Sequence, residues 1–278
     1  MEQFHRGDLT FDVWELGPAD GEVVVLLHGF PQTKAAWSEV APLLAEAGYR
    51  VLAPDQRGYS PGARPVGRRQ YTLDLLAGDV LALADAAGGS RFHVVGHDWG
   101  GAVAWALGMW HPDRVRTVTS LTVPHPRAYL RAMLTSRQFF MSWYAIFFQL
   151  PWLPEWSAGF APTQRLFERA LERSGLPDKH RDEYRAALED RAATTATINW
   201  YRAGPFVSSS RFVPVAVPTL YVYATDDVAL SRRAADLTAR YVTGRYRYEV
   251  LQGTSHWIPE VAPQIVVRLL LEHFSAPA

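Results

Sequence analysis

Short apolar, β-rich runs recur along this chain with helical patterns between most of them. That rhythm constrains the fold more tightly than any other feature. The run "VVVLLHG" (residues 23–29) is continuously apolar, as a strand covered on both faces must be. Others are "LTFDVWEL" (9–16), "YRVLAPD" (49–55), "RFHVVGH" (91–97), "VRTVTSLTV" (115–123), "PTLYVYA" (218–224) and "YRYEVLQG" (246–253). Helical patterns fall over residues 36–47, 73–87, 100–109, 231–241 and 263–274. Strand and helix in alternation predict an α/β fold, a mostly parallel sheet flanked by helices.

The alternation stops near Pro124 and resumes near Val213. The stretch between is helical, punctuated by proline and dense in aromatics. This predicts a discontinuous core, residues 1–123 and 213–278, with a helical cap inserted at 124–212 and a short tail, "SAPA", at the end. The longest apolar run, "FFMSWYAIFFQLPWLPEW" (139–156), is interrupted by Gln149, Pro151, Pro154 and Glu155. An uninterrupted span needs about 20 apolar residues, so no membrane insertion is expected and the run reads as the wall of an apolar space.

Lys+Arg and Asp+Glu balance at 28 each, which points to neither nucleic acid nor an anionic surface as partner. With no cysteine, disulfides, thiolate metal sites and cysteine nucleophiles are excluded together. The first residues lack the layout of a signal peptide, and a cytoplasmic location is expected.

The stretch "VVGHDWGGAV" (94–103) reads as a strand turning sharply into a helix. Such a turn often carries a nucleophilic serine in Gly-x-Ser-x-Gly; here the position is Asp98. An aspartate can also simply cap the helix that follows. The crowding of Gly96, Gly100 and Gly101 favours a strained turn that projects one side chain. Downstream, "TSHWIPE" places His256 after the last strand, and "YATDDVAL" places Asp226 and Asp227 after the one before. Nucleophile, acid and histidine in that order form a triad, with one aspartate orienting the imidazole. Spacing favours Asp227 and leaves Asp226 open. "LLHGFPQ" (26–32) follows the buried strand, so the backbone N–H groups of Phe30 and Trp99 are the expected oxyanion donors, while His28 reads as structural. His93 and His97 are four apart, but on a strand rather than a helix, and no metal is expected.

"HGFP", "DQRGYS" (55–60), "GHDWGG", the late aspartate and the final histidine together resemble the α/β-hydrolase superfamily, in particular the epoxide hydrolases, with haloalkane dehalogenases as near relatives. The resemblance spans the whole chain. It implies a cofactor-independent enzyme that opens a small apolar epoxide through an alkyl ester on Asp98, hydrolysed by water that His256 activates. "INWYRAG" (198–204) and "SWYAIFFQLP" (142–151) are similar to the cap segments bearing the ring-opening tyrosines, which implies Tyr201 and Tyr144 as proton donors. Phe30 stands where dehalogenases often carry a halide-binding Asn, and no arginine lies beside Asp98 as in fluoroacetate dehalogenases. Haloalkane dehalogenation is the alternative, and a non-catalytic binding protein on the same scaffold the reading from a different class. Oligomeric state is left open.

Overall fold

The computed structural model describes residues 1–276 apart from positions 187 and 189. Of the tail, Pro277 and Ala278 lie outside the described residues. Eight strands form one sheet: β1 (Gln3–Arg6), β2 (Leu9–Leu16), β3 (Val23–Leu27), β4 (Arg50–Pro54), β5 (Phe92–His97), β6 (Val115–Leu121), β7 (Thr219–Ala224) and β8 (Tyr246–Leu251). Their spatial order is β1-β2-β4-β3-β5-β6-β7-β8. β1 and β2 pair antiparallel, as do β2 and β4, and every pair from β4 across to β8 is parallel.

The two faces of the sheet are read directly from the strands' period of two. In β3, Val23, Val25 and Leu27 enter one core with the helices Leu73–Ala86 and Trp99–Trp110. Val24 and Leu26 enter the opposite core with the helices Ala41–Glu46 and Pro263–Ser275. All five are buried, which is why the strand carries no polar residue.

Two expectations need correction. The helix expected over residues 36–47 is a 3-10 turn, Lys34–Trp37, followed by a separate short helix, Ala41–Glu46. Pro42 accounts for the late start: it is tolerated in the first turn of a helix and disfavoured further in. β1 was not expected, since four residues at a sheet edge show almost no periodicity. Between β6 and β7 the chain is helical, from Pro126–Thr135 through Arg191–Ala203, with no strand among the described residues.

From β3 the chain crosses to β4 on one side and then to β5 on the other, so strand order reverses between β3 and β5. Their C-terminal ends lie side by side, Leu27 paired with Gly96. A crevice opens at such a switch point, and residue 98 stands in it with φ +49° and ψ −121°. For a residue with a Cβ this backbone is strained, and the packing around it must impose the geometry. A Cβ on Gly96 would fall 2.1 Å from the Gly100 carbonyl oxygen, and one on Gly100 would fall 2.1 Å from that of Leu27. Both obstacles are backbone atoms and cannot swing aside. Gly100→Ala is therefore expected to destabilise the protein by about 3 kcal/mol. A chemical denaturation curve measures this; an unchanged midpoint would mean that the turn is not held by close packing.

Candidate active site

The Asp98 carboxylate is not a helix cap: it makes no capping bond to the helix it precedes. Instead Oδ1 accepts from the Phe30 N–H at 2.9 Å, across from the loop after β3. Oδ2 lies 3.7 Å from Nε2 of His256. On the other side of the imidazole, Nδ1 donates to Asp227 Oδ2 at 2.8 Å. Asp227 Oδ1 accepts from the N–H groups of Ala229 at 2.7 Å and Leu230 at 2.9 Å. Both carboxylate oxygens are thus satisfied, which fixes the side chain and aims it at the ring. Asp226 is exposed, and its carboxylate accepts from Thr225. Of the two aspartates left open above, only Asp227 reaches the histidine.

Electrostatics follow from this arrangement. Burial raises the Asp98 pKa above the usual carboxylate value, opposed by His256 and by the N–H groups of Phe30 and Trp99. Burial by itself would lower the His256 pKa; the charge and hydrogen bond of Asp227, then the charge of Asp98, more than offset it and push the ring up to about 9. A hydrogen-bonded counter-ion outweighing desolvation is the expected balance for a buried histidine of this kind.

Above the carboxylate lies a cavity of about 300 Å³. Trp99, Tyr144, Trp200 and Tyr201 wall it, with Tyr129 and Leu130 from the first helix of the insertion. Tyr201 and Tyr144 meet edge to face, ring centres 5.9 Å apart, and Tyr201 packs likewise on Trp99 at 5.0 Å. Burial raises both hydroxyl pKa values well above 10, and the nearby Asp98 charge adds to the effect. Both stay protonated at neutral pH and so have a proton to donate. The sequence reading missed Tyr129, which lines the same cavity and donates to Ser142 Oγ at 2.8 Å. Its only signal was its place in the helix that opens the insertion.

The insertion is fastened over the crevice by residues flanking Tyr201. Trp200 is buried and its indole N–H donates to the Arg57 carbonyl at 2.8 Å. Arg202 forks onto both oxygens of buried Glu155 and donates to the Phe148 and Leu150 carbonyls at 2.8 and 2.7 Å. It thereby ties the segment carrying Tyr144 to the helix carrying Tyr201. His28 is wholly buried with its pKa lowered to about 4 by burial, and its Nε2 accepts from the Gln56 N–H. His93 and His97 are engaged separately, with Thr117 and Gln32. Among the described residues no three His, Asp or Glu side chains converge as metal ligands, and no helix is long and apolar enough to cross a membrane.

Comparison with known proteins places this geometry in context. Residues 22–263 match the alpha/beta hydrolase fold family. The AB hydrolase superfamily protein YfhM of Bacillus subtilis is 35% identical over 273 residues, covering 95% of this chain and 94% of that protein. Epoxide hydrolase A of Mycobacterium tuberculosis is 31% identical over 301 residues, covering 94% of this chain and 92% of the relative. Among solved structures, Epoxide Hydrolase A from Mycobacterium thermoresistibile superposes with a TM-score of 0.82 at 28% identity, covering 98% of this chain and 97% of the other.

The Asp227–His256 contact can be tested without substrate. Below about 9 the imidazole holds its extra proton because Asp227 and Asp98 stabilise the cation. Removing the Asp227 charge should therefore lower the pH at which the ring titrates. Asp227→Asn is expected to move it down from about 9 toward the ordinary histidine value of about 6.5, burial then being opposed by the remaining Asp98 charge. Ring-proton NMR across pH reads this directly, and an unmoved titration would remove Asp227 from the site.

Proposed function

The chain belongs to the α/β-hydrolase fold family and, within it, to the epoxide hydrolases, and on that premise we propose that it opens apolar epoxides to vicinal diols through an ester on Asp98. One observation carries the reading. A largely buried carboxylate faces a pair of backbone N–H donors and a histidine on one side, and a cavity roofed by two protonated tyrosines on the other.

A carboxylate has an unperturbed pKa of about 3.9 and needs no base to become a nucleophile. Oδ1 already sits against the Phe30 N–H, which leaves Oδ2 to attack a ring carbon. The new bond joins Oδ2 to that carbon while the ring C–O bond breaks. The departing oxygen would be an alkoxide, a poor leaving group, unless it takes a proton as it leaves. Tyr201 and Tyr144 supply it, a phenol (unperturbed pKa about 10) being inherently a stronger acid than an alcohol.

The second step reverses the roles. Once alkylated, Asp98 no longer carries the charge that helped keep His256 protonated, so the ring's affinity for its extra proton falls and that proton passes to the tyrosinate left by ring opening. Nε2 then takes a proton from water, and hydroxide adds to the carboxyl carbon. The Phe30 and Trp99 N–H groups hold the oxyanion, and Asp227 stabilises the imidazolium. Collapse breaks the acyl C–O bond, the leaving alkoxide takes the proton that His256 drew from water, and the acid left on Asp98 gives its own proton to His256, freeing a diol that carries one oxygen from Asp98. Aspartate suits both halves, since a serine displacing at saturated carbon would leave an ether that this machinery could not cleave.

His256→Gln is expected to accumulate a covalent adduct of one substrate mass on incubation with styrene oxide, visible by intact mass, whereas Asp98→Ala should show none. Tyr201→Phe and Tyr144→Phe should each slow adduct formation by about 10²-fold, with the double variant slower still. Diol formation by Asp98→Ala refutes the nucleophile, and bromide release from bromoalkanes without epoxide turnover would make the enzyme a dehalogenase instead. In heavy-oxygen water the first diol released should carry light oxygen; solvent oxygen in that first turnover would rule out the ester.

A further inference from the structure

The oxyanion loop, the histidine loop and the insertion meet at a buried cluster that the proposed chemistry does not use. Gln32, His97, Tyr184 and Glu260 come from four separate stretches of chain, and all four are shielded from solvent. Gln32 Oε1 accepts from the Gly29 N–H at 2.7 Å and faces His97 Nδ1 at 2.8 Å. Gln32 Nε2 donates to Glu260 Oε1 at 2.6 Å, and the Tyr184 hydroxyl donates to that same oxygen at 2.6 Å. His97 Nε2 faces the backbone carbonyl of His256 at 2.8 Å. Glu260 Oε2 has no hydrogen-bond partner among the described residues.

The count of protons is informative. The Gln32 amide cannot be turned round, because its oxygen meets a backbone N–H and its nitrogen meets a carboxylate. Both ring nitrogens of His97 therefore face acceptors. A neutral imidazole has one N–H and one lone pair, and would set that lone pair against an oxygen. Only the imidazolium makes both bonds. A buried cation requires a compensating charge, and the carboxylate of Glu260 stands one amide away.

Burial lowers the His97 pKa, and the His256 cation, ring centres 4.8 Å apart, lowers it further; burial raises that of Glu260 against the bonds from Tyr184 and Gln32, and these effects would favour a neutral pair. The neutral pair has one fault, however, the misplaced lone pair on His97, since a carboxyl proton on Oε1 has the Tyr184 oxygen to accept it. The charged pair removes that fault.

We propose that Glu260 is a positioning residue whose carboxylate, acting through Gln32, holds His97 as an imidazolium that fixes the His256 carbonyl and the loop bearing the Phe30 N–H. This rests on the roles given above to His256 and Phe30. Through Tyr184 the helix Asp178–Ala186 of the insertion bonds to the same carboxylate oxygen. A helix of the insertion and the loop beside Asp98 thus share one acceptor.

The test uses the full chain labelled with nitrogen-15, the His97 ring assigned by its loss in His97→Gln. Two ring N–H signals from His97 at pH 7 are expected in the natural protein, one in Glu260→Gln, and two again in the double variant Gln32→Glu/Glu260→Gln. The exchange moves the carboxylate to the other side of the bridge: the amide nitrogen of residue 260 then donates to residue 32, and the Tyr184 hydroxyl turns from donor to acceptor. A single protonated ring nitrogen in the natural protein overturns the proposal. In rapid-quench experiments with styrene oxide, Glu260→Gln should slow ester hydrolysis about ten- to a hundredfold, the scale of hydrogen bonds to a charged group. The double variant should recover most of that rate. A correctly folded double variant as slow as Glu260→Gln would reduce Glu260 to a packing role and overturn the proposal. A natural protein that forms no ester on Asp98 would instead refute the functional reading, and the ring spectrum would still decide the charge on His97.

Discussion

A carboxylate held under an apolar roof is the constraint on which the rest of this structure depends. Burial disfavours the charge on Asp98, and an isolated ion so placed would neutralise itself by taking up a proton. The surroundings oppose this with groups from three distant stretches of chain: a backbone N–H at residue 30, another at 99, and an imidazole at 256 that Asp227 keeps cationic. They converge only because strand order reverses between β3 and β5, which brings the ends of those strands together and leaves the loops beyond them facing one crevice. The close-packed glycines belong to the same requirement. Without Gly96 and Gly100 the turn could not hold residue 98 at a positive φ with its side chain raised into the crevice.

What could be read from the sequence follows the range of the forces involved. β3 was legible because continuous burial on both faces demands a continuous apolar run. The turn at Asp98 was legible because close backbone approach leaves glycine no substitute. Asp227 was legible only as one of two adjacent carboxylates, since burial separates them and burial is a property of the assembled fold: Asp227 points inward with both oxygens bonded, while Asp226 faces solvent. β1, whose pairing partner supplies most of its order, left no periodic trace. The break between the 3-10 turn and the helix at Ala41 hung on one proline. Tyr129 and Glu260 were invisible for a different reason. Each gains its meaning from a contact far away in sequence, Tyr129 across the cavity and Glu260 from Gln32, 228 residues earlier in the chain. "TSHWIPE" displayed the glutamate beside the histidine, but nothing local distinguishes a buried bridge from an ordinary acid in the first turn of a helix.

The attachment of the insertion bears on how its tyrosines would act, in the proposed reaction, beside a carboxylate far from them in sequence. A proton donor helps only if it is already in place when the ring oxygen begins to leave, because orienting it at that moment would add to the barrier. Arg202 and Trp200, on either side of Tyr201, remove that freedom. One clamps the insertion to itself through Glu155 and two carbonyls, and the other clamps it to the core through Arg57. Specificity and reactivity are thereby divided between two bodies of chain. In the proposed reaction the core would supply the carboxylate, the donors and the histidine, and the insertion the acid, all acting on atoms common to any epoxide. The wall that the insertion forms would meet the parts that differ from one epoxide to the next. Changes at Leu130 or Ala145 can therefore alter which epoxide fits while leaving the bonds around Asp98 intact, whereas loosening Arg202 would cost ring opening even for a substrate that still fits.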